Sequence, residues 1–169
     1  SKLDLVRFNT SSVTDMSNMF KGCTALESVD VTSFDTQNVT NMSSMFEKCN
    51  SLPSLNLVSF NTNSLTSCDS MFKENTALRT ILLGENFGKL TGANMFTGCN
   101  ALFGILAQKA TAINLGANTG LNSLTNAKIY VINETARTSY LSATNYSTVF
   151  GEGRVKVTME LLGDNPVTL

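Results

Sequence analysis

Apolar and polar positions recur along the first half of the chain with a period of 26 residues. Three copies match closely, over residues 3–28, 29–54 and 55–80. Their shared apolar positions are an early aromatic residue, a central Met-Phe pair and a late leucine: Phe8, Phe34 and Phe60; Met19-Phe20, Met45-Phe46 and Met71-Phe72; Leu26, Leu52 and Leu78. A fixed period of this length indicates units that must stack, because one unit cannot bury its apolar positions alone.

Two kinds of apolar spacing occur within each copy. Around residues 52–57, apolar and polar residues alternate, which predicts a short strand with one buried face. A polar segment typical of turns follows, as in residues 34–40. Over residues 42–52 the apolar residues recur at steps of three and four, which predicts a short helix capped by Asn41 or Ser43.

The repeat weakens toward the C-terminus. A fourth copy begins at Ile81 and is two residues shorter, and a fifth begins at Ile105 and lacks the Met-Phe pair. Degenerate terminal copies are typical of stacked repeats. We therefore expect a repeat region over residues 1–128, with copies starting near residues 3, 29, 55, 81 and 105.

The remaining residues, 129–169, are expected to cap the same domain. Residues 134–143 have the spacing of a helix, with Asn133 as its N-cap. Residues 154–161 alternate and predict a last strand, whose charged Lys156 and Glu160 suit an exposed edge.

Stacking places equivalent strands side by side, about 4.8 Å apart, in a parallel sheet. The predicted fold class is therefore α/β: a leucine-rich-repeat solenoid with a parallel sheet on one side, short helices or turns on the other, and a C-terminal capping helix and strand. The repeated Phe, Met and Leu positions, including Phe8 and Met19, are expected to form ladders in its interior.

A resemblance to a known family is carried by the central segment of the copies. These segments read Val13-Thr14-Asp15-Met16-Ser17-Asn18-Met19-Phe20-Lys21-Gly22-Cys23 and Phe34-Asp35-Thr36-Gln37-Asn38-Val39-Thr40-Asn41-Met42-Ser43-Ser44-Met45-Phe46. They resemble the repeat of BspA-like leucine-rich-repeat proteins of bacterial cell surfaces, strongly over residues 3–83 and more weakly to Thr125. Residues 129–146 resemble the closing segment of such arrays. The resemblance implies an extracellular, cell-surface protein.

Charge and composition exclude several function classes. Lys and Arg total 12 and Asp and Glu 13, a formal charge of −1 without the basic face that nucleic acid requires. The sequence has no His, the usual general base and zinc ligand, so we expect neither an enzyme nor a bound cofactor. No apolar run approaches the roughly 18 residues of a membrane span, so we expect no membrane insertion by this segment.

Four cysteines are the first candidates for chemistry. Cys23, Cys49 and Cys99 share one repeat position, occupied by Asn75 in the third copy, and Cys68 lies elsewhere. A disulfide between Cys23 and Cys49 is geometrically possible. Buried free thiols are the stronger expectation, because stacked side chains point the same way. The sequence contains no CxxC motif, which argues against a zinc site.

A row of outward-facing strand residues is the candidate partner site. The row begins with Asp4, Asp30 and Asn56 and continues with Leu82 and Leu106, with Phe103 nearby. The acidic end could hold a cation, although a solvated polar row is the simpler interpretation. The apolar end either contacts a partner or is covered by residues 133–150.

We therefore expect a monomeric surface module of the adhesin type, which presents its sheet to a protein or glycan partner. A structural spacer or stalk within a larger surface protein is the alternative.

Overall fold

The computed structural model of the chain describes residues 2–3, 5 and 7–158. Asp4 and Glu160, which the sequence analysis singled out, lie outside the described residues. The fold is mixed α/β and is built on parallel strands. The strands are β1 Lys2–Leu3, β2 Ser28–Val29, β3 Ser54–Leu57, β4 Thr80–Leu83, β5 Lys89–Leu90, β6 Gly104–Ala107, β7 Asn114–Leu115, β8 Lys128–Val131 and β9 Val155–Val157. The α-helices are α1 Glu134–Ser142 and α2 Tyr146–Val149, with short 3-10 turns at Leu121–Ser123 and Glu152–Arg154.

Five strands form the main parallel sheet, in the order β3-β4-β6-β8-β9. Its register pairs Leu55 with Ile81, Ile81 with Ile105 and Ile105 with Ile129. β1 and β2 pair in the same manner, and so do β5 and β7. The paired residues are those that the repeat makes equivalent, so consecutive copies lie side by side in register. The predicted parallel sheet is confirmed.

The helix predicted over residues 42–52 is wrong, and consecutive turns replace it. The N–H of Met45 donates to the Met42 carbonyl, whereas the N–H of Phe46 donates to the Met71 carbonyl of the next copy at 2.9 Å. Ser44 and Lys48 have positive φ angles of 57° and 63°, as in tight turns. In a helix these N–H groups would donate to carbonyls of the same helix. In these turns, every second N–H donates to a carbonyl of the next copy instead. The buried side chains of these turns recur at steps of three and four residues, as they do in a helix, which explains the error.

The core is continuous from copy to copy. Four phenylalanine rings stack along it, with centroid distances of 5.1 Å for Phe20–Phe46, 6.1 Å for Phe46–Phe72 and 5.3 Å for Phe72–Phe96. The first copy departs from the prediction: Phe8 is 55% exposed and Met19 is 38% exposed. Their equivalents in later copies are buried, because a preceding copy covers them.

The C-terminal segment closes the other end of the core. α1 begins after Asn133, whose Oδ1 accepts a hydrogen bond from the Ala136 N–H at 2.9 Å, so this cap is confirmed. The Tyr140 hydroxyl donates to the Lys109 carbonyl and the Tyr146 hydroxyl to the Ile113 carbonyl. β9 is an edge strand, as predicted, but its described part is shorter than residues 154–161. The predicted division at residue 128 stays a prediction.

Candidate functional site

Residues of the main sheet that face away from the core include one row with a residue from each of four strands. The register aligns Asn56 with Leu82, Leu82 with Leu106, and Leu106 with Tyr130. Each lies between two core-facing residues of its strand, so its side chain points to the opposite face of the sheet. The predicted row is therefore present from Asn56 onward.

Burial increases along this row. Asn56 is exposed and Leu82 is half-buried, while Leu106 is 7% exposed and Tyr130 is 1% exposed. Leu82, Phe103, Leu106 and Tyr130 pack together as a cluster separate from the main core, called here the outer cluster. The prediction missed Tyr130, although it is the next residue in the row. Leu106 was expected to be an exposed residue that contacts a partner. It is buried instead, because it packs against the Tyr130 ring.

Aromatic packing fixes the shape of the outer cluster. The Phe103 and Tyr130 ring centroids are 6.1 Å apart, with the rings tilted by 40°. A Cβ at Gly104 would lie 3.3 Å from Tyr130 Cε2, so the missing side chain leaves room for the tyrosine ring. The cluster is therefore a packed feature of the outer face.

Residues 133–150 do not provide the expected cover. Their buried apolar side chains, Ala136, Tyr140, Tyr146, Val149 and Phe150, belong to the main core. Asn145 Nδ2 donates to the Leu115 carbonyl at 2.6 Å, which holds the segment against the end of the core. The covering interpretation is wrong for this segment, because it packs across the end of the core.

The polar end of the row has a local structural role. Asp30 Oδ1 accepts hydrogen bonds from the Thr32 N–H at 3.0 Å and the Thr32 hydroxyl at 2.6 Å. Asn56 Oδ1 accepts from the Val58 N–H at 3.1 Å in the same way. Both side chains thus stabilise the turn that follows their strand. Among the residues that the structure describes, no group of three His, Cys, Asp or Glu side chains could hold a metal ion.

An open groove of about 580 Å³ lies beside the outer cluster. It is lined by Ala77, Arg79, Asn100, Ala101, Leu102, Phe103, Thr125, Asn126 and Lys128. This lining contains two cationic side chains and no carboxylate. Lys128 Nζ lies 5.7 Å from the Phe103 ring centroid, a cation–π contact. The groove therefore joins positive charge to the apolar surface of Phe103.

The cysteines are free thiols, as expected, and three of them are buried. Cys49 Sγ donates to the Phe20 carbonyl at 3.1 Å and Cys99 Sγ to the Phe72 carbonyl at 2.9 Å. Burial raises the pKa of Cys49 to about 11 and that of Cys99 to about 12, so both stay protonated and unreactive at neutral pH. Cys23 was expected to be buried and is exposed, because no described copy lies before the first one.

Comparison with known protein families places the chain in one of them. A family model described as "Mycoplasma protein of unknown function, DUF285" matches residues 1–108. The chain belongs to the DUF285 family. The DUF285 match includes Leu82, Phe103 and Leu106 and ends before Tyr130. No curated protein and no solved structure matches the chain. Within the described part of the chain, no helix has the length and apolar character needed to cross a bilayer.

Proposed function

We propose that this DUF285 chain is a non-catalytic interaction module of a bacterial cell surface. In this proposal it is a leucine-rich-repeat solenoid of the BspA-like type, and the outer face of its sheet binds a protein or glycan. The observation that supports the proposal is the outer cluster, an apolar group on the side of the sheet opposite the core. Half-buried Leu82 and Phe103 offer its accessible surface.

The groove adds charge to this apolar surface. Binding interfaces commonly combine an aromatic or aliphatic anchor with flanking polar groups. Here Phe103 would supply the anchor, while Arg79 and Lys128 would attract an acidic group of the partner. The sequence composition agrees with a binding role, since a chain without His lacks the usual general base.

Binding of the purified chain to arrays of host-surface proteins and glycans tests the proposal. We expect a specific partner, and we expect Leu82→Glu to weaken its binding by roughly ten-fold or more, as for a truncated hot spot. Leu82 suits the test because it is only half-buried, whereas a charge at buried Leu106 would endanger the fold.

Thr148→Glu is the matched control, since it adds the same charge at an exposed position of α2 away from the sheet. Circular dichroism should show the same fold for both variants. The proposal fails if the native chain binds nothing on either array, or if Leu82→Glu and Thr148→Glu bind equally well.

A structural spacer is the second candidate. It is favoured by the polar end of the outer row, where Asp30 and Asn56 serve their own turns. A spacer would need only the regular stacking of copies, and its faces would be inert.

A further inference from the structure

The groove beside the outer cluster crosses three consecutive strands of the main sheet. Arg79 precedes β4, Phe103 precedes β6 and Lys128 begins β8. The register places these strands side by side, so the groove extends over two strand spacings, about 10 Å. This length suits a disaccharide unit of a glycan chain or a short piece of an extended peptide. Because the groove is open, a longer chain can pass through it.

The charges of the groove favour an anionic ligand. Its lining contains Arg79 and Lys128 and no carboxylate. Arg79 is exposed, and no described carboxylate forms an ion pair with it. Lys128 is half-buried, and its cation–π contact holds the ammonium group beside the Phe103 ring. A carboxylate in the groove would therefore be attracted by both cations.

The uncharged part of the lining suits the hydroxyl groups of a sugar. Asn100, Thr125 and Asn126 are exposed and carry amide or hydroxyl groups, which both donate and accept hydrogen bonds. Sugar hydroxyls also do both, so each can pair in either direction. Ala77 and Ala101 lie at equivalent positions of the third and fourth copies, and their small side chains leave room for a pyranose ring.

A peptide strand fits the groove less well, because the backbone groups at these strand ends are already paired. The Arg79 carbonyl accepts hydrogen bonds from the N–H groups of Phe103 and Gly104, at 2.9 and 3.1 Å. The Phe103 carbonyl accepts from the Lys128 N–H at 2.9 Å. A peptide that binds by extending a sheet needs unpaired backbone groups. Recognition in the groove therefore depends on side chains, which favours a ligand whose polar groups surround a ring.

We propose that the groove binds a hexuronic acid unit of a glycan chain, that is, a sugar whose ring carries a carboxylate. The inference rests on the proposed binding function and narrows the partner to an acidic glycan. Arg79 and Lys128 hold the carboxylate, and the Arg79 guanidinium can donate two parallel hydrogen bonds to it. The C–H groups on one face of the sugar pack against Phe103, and the amides of Asn100 and Asn126 bind its hydroxyl groups.

Calorimetric titration of the whole chain with a set of matched ligands tests this proposal. The first ligand is a hexasaccharide in which glucuronic acid alternates with N-acetylglucosamine. The second is a neutral hexasaccharide of N-acetylglucosamine alone, and the third is a capped peptide with as many carboxylates as the first. We expect the acidic hexasaccharide to bind at least about ten-fold more tightly than either of the others. Its affinity should fall as salt is added, because exposed charges contribute to binding.

Variants of exposed residues locate the binding site. Arg79→Gln should weaken binding of the acidic hexasaccharide by about ten-fold, because charge-assisted hydrogen bonds are lost. Arg7→Gln removes the same charge from the first copy, outside the groove, and should change the affinity by less than about two-fold. Asn100→Ala should weaken binding by about three-fold or more. Its control is Asn50→Ala, at the equivalent exposed position of the second copy, which should leave the affinity unchanged.

Circular dichroism should show the same fold for all of these variants, since each changes an exposed side chain. The proposal is overturned if the acidic hexasaccharide binds no better than the neutral one, or if Arg79→Gln and Arg7→Gln have equal effects. Tighter binding of the acidic peptide would also overturn it, but the proposed interaction function would stand with a protein as partner. A partner on the arrays that depends on Leu82 and not on Arg79 would likewise overturn the sugar assignment alone.

Discussion

In the second, third and fourth copies, the residue three positions after the Phe of the Met-Phe pair donates a side-chain hydrogen bond to the preceding copy. A thiol does this at Cys49 and Cys99, and an amide does it at Asn75, whose Nδ2 donates to the Phe46 carbonyl at 2.8 Å. Asn75 Oδ1 is buried without a hydrogen-bond partner among the described residues. The position therefore needs a small side chain that donates a hydrogen bond, which explains why both cysteine and asparagine occur there.

Asn75→Cys should stabilise the chain. The change keeps a donor for the Phe46 carbonyl and removes a buried unpaired oxygen, a gain of about 1 kcal/mol. Asn75→Ala removes the donor as well and should cost about 1–3 kcal/mol. Urea unfolding followed by circular dichroism measures both. If Asn75→Cys unfolds earlier than Asn75→Ala, the donor requirement is wrong.

Glu47 makes stability depend on pH. The carboxylate of this buried residue lies 2.9 Å from Lys21 Nζ, and the hydrogen bond from Lys21 is the main reason that its pKa lies below the ordinary value of 4.5. The hydrogen bond from Ser44 lowers the pKa further. Because the folded pKa is depressed, the stabilisation is present above pH 4.5 and is lost as pH falls through the folded pKa.

Glu47→Gln should therefore lower the unfolding midpoint at pH 7. The difference in unfolding midpoint between this variant and the native chain should become smaller as pH falls from about 5 to about 3. Glu85→Gln removes one carboxylate from an exposed position and serves as the control. A difference between Glu47→Gln and the native chain that stays constant over this pH range would contradict the assignment.

At the scale of elements, the sequence predicted the elements whose buried residues follow a periodic pattern. It predicted the strands of the parallel sheet and the Asn133 cap of α1, because each has one buried face or a local side-chain bond. It failed for the turns, whose buried side chains recur at the spacing of a helix. The missed signal was the recurrence of small, polar or glycine residues at the positive-φ positions: Asn18, Ser44, Ser70 and Asn94, and Gly22, Lys48, Glu74 and Gly98.

Ser70 tests the turn assignment. Its φ is 58°, a region that costs ordinary residues roughly 1–2 kcal/mol and β-branched residues more. Ser70→Val should therefore destabilise the chain by about 1–2 kcal/mol, while Ser70→Gly should be neutral or stabilise it by up to about 1 kcal/mol. Thermal unfolding of the two variants measures this order. The opposite order would indicate a helical φ at this position.

At the scale of the whole molecule, the alignment of copies predicted the row from Asn56 to Leu106 but not its environment. The register of the copies is enough to bring these residues together. Their burial also depends on residues outside the three clean copies, which the alignment did not include. Tyr130 belongs to the closing segment, and the weaker repeat there hid its place beside Leu106. The groove was missed as well, since Asn126 and Lys128 lie at the end of the degenerate fifth copy, where the repeat is weak.

Removal of one whole copy separates the two candidate functions. Deletion of residues 29–54 joins Ser28 to Leu55 and deletion of residues 55–80 joins Ser54 to Ile81, so both shorten the chain by 26 residues and keep the register. The first deletion leaves the groove and the outer cluster intact, whereas the second removes Arg79 from the groove. Because each copy contacts its neighbours alone, both chains should fold, with lower unfolding midpoints than the native chain.

A binding module predicts that deletion of residues 55–80 weakens partner binding by roughly ten-fold, while deletion of residues 29–54 changes it by less than about two-fold. A spacer predicts equal effects, because the two chains have lost the same length. Surface plasmon resonance with the partner found on the arrays measures the affinities, and assay of a larger protein carrying each deletion measures the dependence on length. Equal affinities for the two chains would exclude the groove from the binding surface and leave the spacer as the better account of this fold.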